Sequence, residues 1–327
     1  MRIVVCIFFI TSVFSCKQKP ISEKSFIDIN GEKQYVEITG PSADAAVLLF
    51  IHGGPGWPQT PHLRYFNADL TKEVILVAWE QSGCGQSFVN NPNPKNLSLE
   101  QIIKDGHELT QYLKKKYNKN KIYLAGFSWG SIIGLRLAEQ YPDDYAAYFG
   151  ISQITNVRRG IQVSREWIKK EAAFHGDTAA VRTLEKIEQR DTSVCKQELD
   201  CFFKQYELLS KYRGHIYKKE SEVEIEKAVT AYPDYKNYDW MGGFDYSIKR
   251  LQNDLFTADL TGIKEIRIPV YFFTGKFDWN IPPALITEYV NALKAPSREI
   301  VWFEQSGHEP LEEEAKKFNT EMLKRIH

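Results

Sequence analysis

The sequence predicts an α/β fold in which a mostly parallel β-sheet is flanked by helices and interrupted by a helical insertion. Strand patterns alternate with helical patterns over residues 45–151, which is typical of a parallel sheet. The alternation returns at Ile268, and the segment between has helical spacing, many charges and no convincing buried strand. We therefore assign 22–153 and 256–327 to an α/β core and 154–255 to a helical cap.

The first predicted element is a β-hairpin, in which alternating runs at 26–29 and 34–38 flank an Asn-Gly turn at 30–31. Continuous apolar strands follow at 45–51 and 74–79. Because neither strand alternates with polar residues, we expect both to be buried on their two faces.

The middle of the core begins with a helix that Ser98 and Gln101 open as a capping box and that runs to about Tyr117. An apolar strand at 122–125 and a helix at 132–139 come next. A short Gly-rich turn joins them, so this stretch predicts a strand, a tight turn and a helix.

The remaining core elements lie on either side of the insertion. Strands are predicted at 148–151, 268–274 and 298–303, with a helix near 283–293 between the last two. A final helix at 310–326 closes the chain.

The overall composition is that of an ordinary globular protein. Hydrophobic residues make up 43% and charged residues 26% of the 327 positions, which excludes a disordered chain. The 42 basic and 42 acidic residues give a formal net charge of zero. This balance removes the electrostatic argument for binding nucleic acid or an anionic membrane surface.

Residues 1–16 are predicted to be an export signal rather than part of the fold. The apolar run at 3–14 is too short to span a bilayer and fits the central region of a signal peptide. Residues 13–16 resemble a bacterial lipobox, which implies cleavage before Cys16 and attachment of lipid to its thiol. A plain signal peptide is the alternative. We expect an exported protein, lipid-anchored at the cell envelope, in the periplasm or at the outer membrane.

The other cysteines leave one pairing open. Cys195 and Cys201 are close in sequence and could form a disulfide in an oxidising compartment. Proximity does not decide the matter, because disulfide geometry is strict. Cys84 has no evident partner, and no cysteine–histidine spacing suggests a metal site.

The predicted turn between strand and helix carries the pattern Gly126-x-Ser128-x-Gly130, the arrangement of a nucleophile elbow. A serine nucleophile needs a base and a group that orients the base, in the chain order serine, acid, histidine. Asp278 and His308 each follow directly after a late predicted strand, so the three should converge at the carboxyl ends of the sheet. Alone, each has an ordinary explanation as a turn or loop residue, but together they predict a catalytic triad.

A serine hydrolase also needs donors for the oxyanion. One should be the N–H of Trp129, the residue after the nucleophile. The other should come from the Gly-rich loop 52–56, where glycines let the backbone approach a substrate. We predict Gly54 as this donor, with Gly53 as the alternative.

Four motifs together resemble the α/β-hydrolase superfamily, and more closely its prolyl aminopeptidase (proline iminopeptidase) branch. They are His52-Gly53-Gly54-Pro55-Gly56, Gln81-x-Gly83-Cys84-Gly85-x-Ser87, Gly126-Phe127-Ser128-Trp129-Gly130-Ser131 and Gly307-His308-Glu309-Pro310. The resemblance covers most of 45–151 and 268–315. It implies an α/β-hydrolase fold with an eight-stranded sheet, a helical cap inserted after the sixth strand, and no cofactor. It also implies removal of an N-terminal residue, preferably proline, from peptides.

The chain departs from that branch in one motif, and its substrate-binding residues are less clear. Residues 80–83 read Glu-Gln-Ser-Gly where the family usually has Asp-Gln-Arg-Gly, so the arginine is missing. Family members bind the substrate amine with carboxylates of the cap, for which Glu166, Glu171 and Glu207 are the candidates here. Trp240 belongs to an aromatic run that could line a substrate pocket or form the core of the cap.

The sequence therefore predicts a serine hydrolase that acts through an acyl-enzyme and removes N-terminal residues of the proline type from small peptides. A small-molecule esterase or amidase of the same fold is the first alternative. A non-catalytic binding protein on a hydrolase scaffold is the second.

Overall fold

The computed structural model describes residues 19–326. The predicted signal peptide and the lipidation of Cys16 lie outside these residues. Among the described residues, no helix is both long and apolar enough to cross a membrane.

The centre of the molecule is an eight-stranded sheet with the order β1-β2-β4-β3-β5-β6-β7-β8. The strands are β1 (Ile21–Ile29), β2 (Glu32–Gly40), β3 (Ala46–Ile51), β4 (Val74–Glu80), β5 (Ile122–Phe127), β6 (Tyr145–Ile151), β7 (Val270–Gly275) and β8 (Arg298–Phe303). Strand β2 pairs antiparallel with β1 and β4, and the remaining neighbours are parallel. The predicted mostly parallel sheet is confirmed.

Helices cover both faces of the sheet and form the insertion. They are α1 (Thr60–Phe66), α2 (Gly85–Asn90), α3 (Leu99–Lys116), α4 (Trp129–Gln140), α5 (Val157–Phe174), α6 (Thr178–Glu188), α7 (Glu198–Lys211), α8 (Lys219–Thr230), α9 (Pro233–Lys236), α10 (Trp240–Phe256), α11 (Pro283–Ala292), α12 (Pro310–Glu313) and α13 (Ala315–Leu323). Helices α5–α10 all lie between β6 and β7. These six helices and their connections form the cap.

The core is divided by the sheet into two apolar layers. On β3, Val47 and Leu49 join the layer formed with α3 and α4, whereas Leu48 and Phe50 join the layer that contains Phe318 of α13. Successive side chains of a strand point to opposite faces, so a continuous apolar strand fills both layers. The predicted burial of β3 on two faces follows from this arrangement.

The cap has a small apolar core of its own, to which Ile168, Leu184 and Leu209 contribute. Cys195 and Cys201 form a disulfide at the edge of this cluster, with their Cα atoms 5.2 Å apart. The pairing that the sequence left open is therefore present in the structure.

The cap is attached to the core through α9. Arg64 of α1 donates two hydrogen bonds of 2.8 Å to the carboxylate of Asp234, and Lys24 donates a third of 2.9 Å. The hydroxyl of Tyr235 donates to the buried carboxylate of Glu80 at the end of β4. These contacts hold the cap over the carboxyl ends of the parallel strands.

The last predicted helix is divided in two. Glu314, between α12 and α13, has φ −128° and ψ 46°, which lie outside the helical region. Its side chain accepts hydrogen bonds of 2.8 Å from the backbone N–H of Gln305 and from the hydroxyl of Ser306. The break therefore places a carboxylate where it supports the loop before α12.

Candidate active site

Ser128 lies in a sharp turn between β5 and α4. Its φ of 50° and ψ of −116° are unusual for a residue with a side chain, and such strain is typical of functional turns. The turn is possible because its neighbours are small: a Cβ atom on Gly126 would lie 2.4 Å from the carbonyl oxygen of Gly130, and one on Gly130 would lie 2.3 Å from that of Ile51. The predicted strand, tight turn and helix are all present.

The structure brings together the three residues predicted as a triad. The Oγ atom of Ser128 lies 3.0 Å from Nε2 of His308, and Nδ1 of His308 lies 2.9 Å from Oδ2 of Asp278. The second oxygen of Asp278 accepts a hydrogen bond of 2.7 Å from the backbone N–H of Ile281. Because the carboxylate can only accept, Nδ1 carries a proton and Nε2 is left to accept the proton of Ser128.

Both partners of the serine are withdrawn from water, since Asp278 is 0% and His308 is 3% exposed. Burial lowers the pKa of His308, but the Asp278 carboxylate, through its charge and its hydrogen bond, raises it. Glu309 and Glu313 add to this effect, and the net result is a raised pKa.

The loops that carry the acid and the histidine are also held by the cap. The backbone N–H of His308 donates to the carbonyl of His215 at 2.6 Å. The N–H of Trp279, next to Asp278, donates to the carbonyl of Gly214 at 2.9 Å. Both acceptors lie between α7 and α8 of the cap, so the cap takes part in positioning the two loops.

The Gly-rich loop after β3 is oriented by His52. Nδ1 of its buried ring donates to the carbonyl of Gly53 at 2.7 Å, and the N–H of Gln81 donates to its Nε2 at 3.2 Å. Burial lowers the pKa of His52 to about 4, so the ring stays neutral and keeps this tautomer at neutral pH. In a trans peptide the C=O and the next N–H point in opposite directions, so the N–H of Gly54 points away from the ring.

This orientation favours Gly54 over Gly53 as the loop's oxyanion donor. Both glycines line the cavity that contains Ser128. Trp129 is the first residue of α4, where backbone N–H groups have no partner within the helix. The N–H groups of Trp129 and Gly54 are therefore suited to receive a developing negative charge beside Ser128.

The cavity that contains Ser128 and His308 has a volume of about 530 Å³ and lies between the core and the cap. Its walls are mainly apolar and aromatic, with contributions from Trp57, Phe202, Phe203, Tyr206, Phe244 and Val229. A groove of about 960 Å³ lies elsewhere, between the cap and the loop after β7, and contains none of the three predicted triad residues. The smaller cavity is therefore the candidate active site.

The predicted cap residues do not line this cavity. Glu166 and Glu207 are exposed, and Glu171 lines the separate groove. Trp240 packs against Trp57 at 4.8 Å between ring centroids, so it supports a cavity wall from behind. The physical reason is helical spacing: on α7 the residues at 202, 203 and 206 face the cavity, and the next residue after them turns to solvent.

Sequence reasoning missed the carboxylates that do line the cavity. Glu309 and Glu312 come from the core and begin α12, and Glu222 and Glu226 come from α8 of the cap. The sequence held one signal for the first pair, because Glu309 directly follows His308 and Glu312 lies one helical turn later. Among the described residues, no group of three or more His, Cys, Asp or Glu side chains could hold a metal ion.

Comparisons with known proteins identify the family to which this fold belongs. A family model for the alpha/beta hydrolase fold matches residues 46–315. The chain is 28% identical over 306 residues to the probable aminopeptidase YbaC of Bacillus subtilis, covering 92% of this chain and 95% of that protein. It is 24% identical over 297 residues to a proline iminopeptidase of Heyndrickxia coagulans, covering 90% and 95%.

Solved structures show the same fold. The crystal structure of a proline iminopeptidase-related protein from Thermus thermophilus superposes with a TM-score of 0.67 at 17% identity. The match covers 94% of this chain and 97% of that one. At this identity the similarity concerns the fold alone.

Proposed function

The chain belongs to the α/β-hydrolase family and is a hydrolase, and we propose that it is a serine hydrolase. We propose in addition that it removes N-terminal residues from small peptides. The observation that carries the proposal is the continuous hydrogen-bonded series Ser128–His308–Asp278, of which Ser128 and His308 line a cavity. A serine hydroxyl joined to a buried histidine–carboxylate pair is the arrangement that activates serine for acyl transfer.

In the proposed reaction, Oγ of Ser128 attacks the carbonyl carbon of the first peptide bond while Nε2 of His308 takes the hydroxyl proton. The carboxylate of Asp278 stabilises the imidazolium that forms. The N–H groups of Trp129 and Gly54 stabilise the oxyanion, and each donor of this kind contributes about 3 kcal/mol to transition-state stabilisation. His308 then protonates the leaving amine.

The second half of the reaction uses the same groups. His308 takes a proton from water, the resulting nucleophile attacks the acyl-enzyme, and the proton returns to Ser128 as the acid is released. The free serine and the neutral histidine are restored, so the cycle closes without any further reactant.

A peptide substrate is supported by the relatives and by the cavity. The relatives with matching length are named as an aminopeptidase and a proline iminopeptidase. The cavity of about 530 Å³ has room for one or two residues, and its apolar walls suit an apolar N-terminal residue such as proline. We therefore propose a proline-type aminopeptidase activity on small peptides.

The test compares hydrolysis of proline naphthylamide with hydrolysis of a short nitrophenyl ester, using purified protein and the Ser128→Ala variant. We expect the wild-type protein to cleave both substrates and the variant to lose at least about 10⁴-fold in kcat. Cleavage of the ester alone would support a small-molecule esterase or amidase and exclude the aminopeptidase.

A binding protein on a hydrolase scaffold is the remaining alternative. A fluorescent phosphonate that reacts with activated serines distinguishes it from an enzyme. We expect labelling of the wild-type protein and none of Ser128→Ala. A wild-type protein that takes no label and cleaves neither substrate is not a serine hydrolase.

We further propose that the protein is exported and lipid-anchored through Cys16, on the basis of the N-terminal sequence alone. Cys16→Ser should move the protein from the membrane fraction to the soluble fraction. An unchanged distribution between the two fractions would exclude lipid attachment at this residue.

A further inference from the structure

The cap contains a further groove that none of the three proposed triad residues lines. It has a volume of about 690 Å³ and lies between the first half of α5, the end of α6 and the start of α7. Four cationic side chains line it: Arg158 and Arg165 from α5, Arg190 from the turn after α6, and Lys196 from the loop before α7. We call it the basic groove, and the proposed reaction makes no use of it.

Three separate segments bring these cations together. On α5, residues 158, 162 and 165 all line the groove, and their spacing places side chains on one face of a helix. Arg190 follows α6 directly, in the turn where the N–H of Asp191 donates to the carbonyl of Lys186 at 2.9 Å. The groove is therefore assembled from residues that are distant in sequence and positioned by the packing of the cap helices.

The disulfide of the cap forms part of the same groove. Cys195 and Cys201 both line it, and Cys195 is the residue before Lys196. The bond ties the loop before α7 to α7 itself, so the backbone that carries Lys196 has fewer positions available. The disulfide therefore holds one cationic residue of the groove opposite those of α5.

The positive charges of the basic groove exceed the negative ones. Two carboxylates also line it, and each has a cationic partner. Glu198 lies 3.5 Å from the guanidinium of Arg158, and Glu188 accepts a hydrogen bond of 2.5 Å from Lys169. Within the part of the chain that the structure describes, the other three cations of the groove form no ion pair. The groove is thus suited to an anion with more than one negative charge.

Arg165 has a charge that the protein compensates only in part. Its side chain is partly buried, and its Nε donates a hydrogen bond of 2.8 Å to the side-chain oxygen of Gln205. Burial lowers the pKa of Arg165, and the charges of Glu188 and Glu166 oppose this effect without cancelling it. A partly buried guanidinium is stabilised by an anion next to it, and its planar donors match the oxygens of a phosphate.

The rest of the groove indicates what such an anion carries. A phosphate monoester has a charge of about −1.5 to −2 at pH 7 and three acceptor oxygens, which suits three cations without partners. The groove is larger than a phosphate, so there is room for an organic part. Gln162, Thr192 and Gln197 also line it, and none of the described lining residues is aromatic. Such walls suit hydroxyl groups and offer no ring on which a nucleobase could stack.

We propose that the basic groove binds a small phosphorylated polyol, of the class of the sugar phosphates, with its phosphate held by Arg165, Arg190 and Lys196. This site is separate from the active site, because α7 lies between the two. Cys201 lines the groove, whereas Phe202 and Phe203, the next two residues, line the cavity that contains Ser128.

Calorimetry on the purified protein tests the proposal, with glucose 6-phosphate as the probe and glucose as the neutral control. Glucose 6-phosphate should bind at least about tenfold more tightly, because hydrogen bonds between a phosphate and cationic donors are charge-assisted. Arg190→Gln and Lys196→Gln should each weaken this binding by about threefold to tenfold. Both side chains are exposed, so we expect both variants to fold normally.

Three further variants provide controls. Arg182→Gln removes an exposed positive charge of α6 that does not line the groove, and it should leave the affinity for glucose 6-phosphate unchanged. Ser128→Ala should also bind the probe as tightly as the wild-type protein, because the two sites are separate. Replacing both Cys195 and Cys201 by serine should weaken binding, since the loop that carries Lys196 is no longer tied to α7.

Two results would overturn the proposal. The first is an affinity for glucose 6-phosphate no higher than that for glucose, or an effect of Arg190→Gln no larger than that of Arg182→Gln. The second is binding to vesicles that contain phosphatidylglycerol without binding of glucose 6-phosphate, which would assign the basic groove to a lipid surface and not to a soluble phosphate.

Discussion

At the scale of single residues, the protonation of His308 sets the pH range in which the site can work. A general base must be neutral, so activity should fall as the pH decreases through the pKa of His308. Burial alone would lower this pKa, but the Asp278 carboxylate raises it above its ordinary value. We expect kcat/KM for an uncharged ester to decrease at low pH, with the midpoint of the decrease above about pH 6.5.

Asp278→Asn provides the control for this prediction. The variant lacks the negative charge that raises the pKa of His308, so the midpoint should move to lower pH. The kcat should fall by about 10⁴-fold, because an amide does not select the required tautomer. A wild-type midpoint below the ordinary histidine pKa of about 6.5 would contradict the assignment of His308 as a base whose pKa Asp278 raises.

His52 is a second residue whose effect on the reaction can be measured. Its ring donates to the carbonyl of Gly53 and thereby orients the N–H of Gly54. His52→Ala should lower kcat for the ester by up to about 100-fold, because an oxyanion donor loses its orientation. Cys84→Ala is the matched control, since its buried Sγ lies 3.9 Å from the same ring and removing it leaves the Gly53 contact intact. Equal losses in both variants would indicate a packing defect instead.

Single residues also show which parts of the site were accessible from sequence. Ser128, Asp278 and His308 could be predicted because the order of strands fixes which loops meet at the carboxyl edge of the sheet. Glu312 could not, because its burial depends on contact with Gln59, which is 253 residues away in the chain. The direction in which a cap glutamate points depends in the same way on how α5 and α7 pack, which composition does not reveal.

At the scale of elements, the break between α12 and α13 has a measurable effect on the site. Glu314 supports the loop before His308 through Gln305 and Ser306. Glu314→Ala should lower kcat/KM by about tenfold, since small displacements of catalytic groups are costly, and should destabilise the fold by about 2 kcal/mol. Enzyme assays and urea unfolding measure the two effects.

Glu321→Ala is the control for that prediction. Glu321 is a hydrogen-bonded carboxylate within α13, and its partner is Arg325 and not the loop before His308. We expect a similar or smaller loss of stability and an unchanged kcat/KM. Glu314→Gln, which retains an acceptor oxygen, should recover most of the activity. If Glu321→Ala lowers kcat/KM as much as Glu314→Ala does, and Glu314→Gln does not recover the activity, then Glu314 affects the site only through helix stability.

Elements with a continuous apolar run were predictable, and a helix that depends on a tertiary contact was not. The strands from β3 to β8 contain apolar runs typical of strands in a sheet, and they appear within a few residues of their predicted bounds. Helix α2 forms in a Gly-rich segment whose composition is typical of a loop. The N–H of Gln86 in its first turn donates to the Glu80 carboxylate at 2.6 Å, so a buried tertiary acceptor stabilises a helix that local propensity does not favour.

At the scale of the whole molecule, the contact of α9 with β4 holds the cap on the core. The hydroxyl of Tyr235 donates to Glu80, and burial raises the pKa of that carboxyl to about 7. Tyr235→Phe removes this donor and leaves Thr60 and the N–H of Gln86 to satisfy the carboxylate. The loss should cost about 1–3 kcal/mol.

Hydrogen exchange locates the effect of Tyr235→Phe within the molecule. We expect faster exchange in α8, α9 and α10, with β5 and β6 unchanged, because the variant weakens the attachment of the cap and not the sheet. Tyr217→Phe is the control, since its partly exposed side chain lines the separate groove and not the contact of α9 with β4. Uniformly faster exchange in the sheet and the cap would show that the contact stabilises the whole fold cooperatively.

The carbonyl groups of Gly214 and His215 limit how this protein can be recombined with others. A chimera that exchanged the entire cap for that of a relative would remove the acceptors for the N–H groups of Trp279 and His308, unless the incoming segment placed two carbonyls at the same points. Shuffling at the ends of β6 and β7 would therefore yield folded but poorly active hybrids. Under this constraint new specificities arise more readily by substitution of side chains within the cavity than by inheritance of a foreign cap.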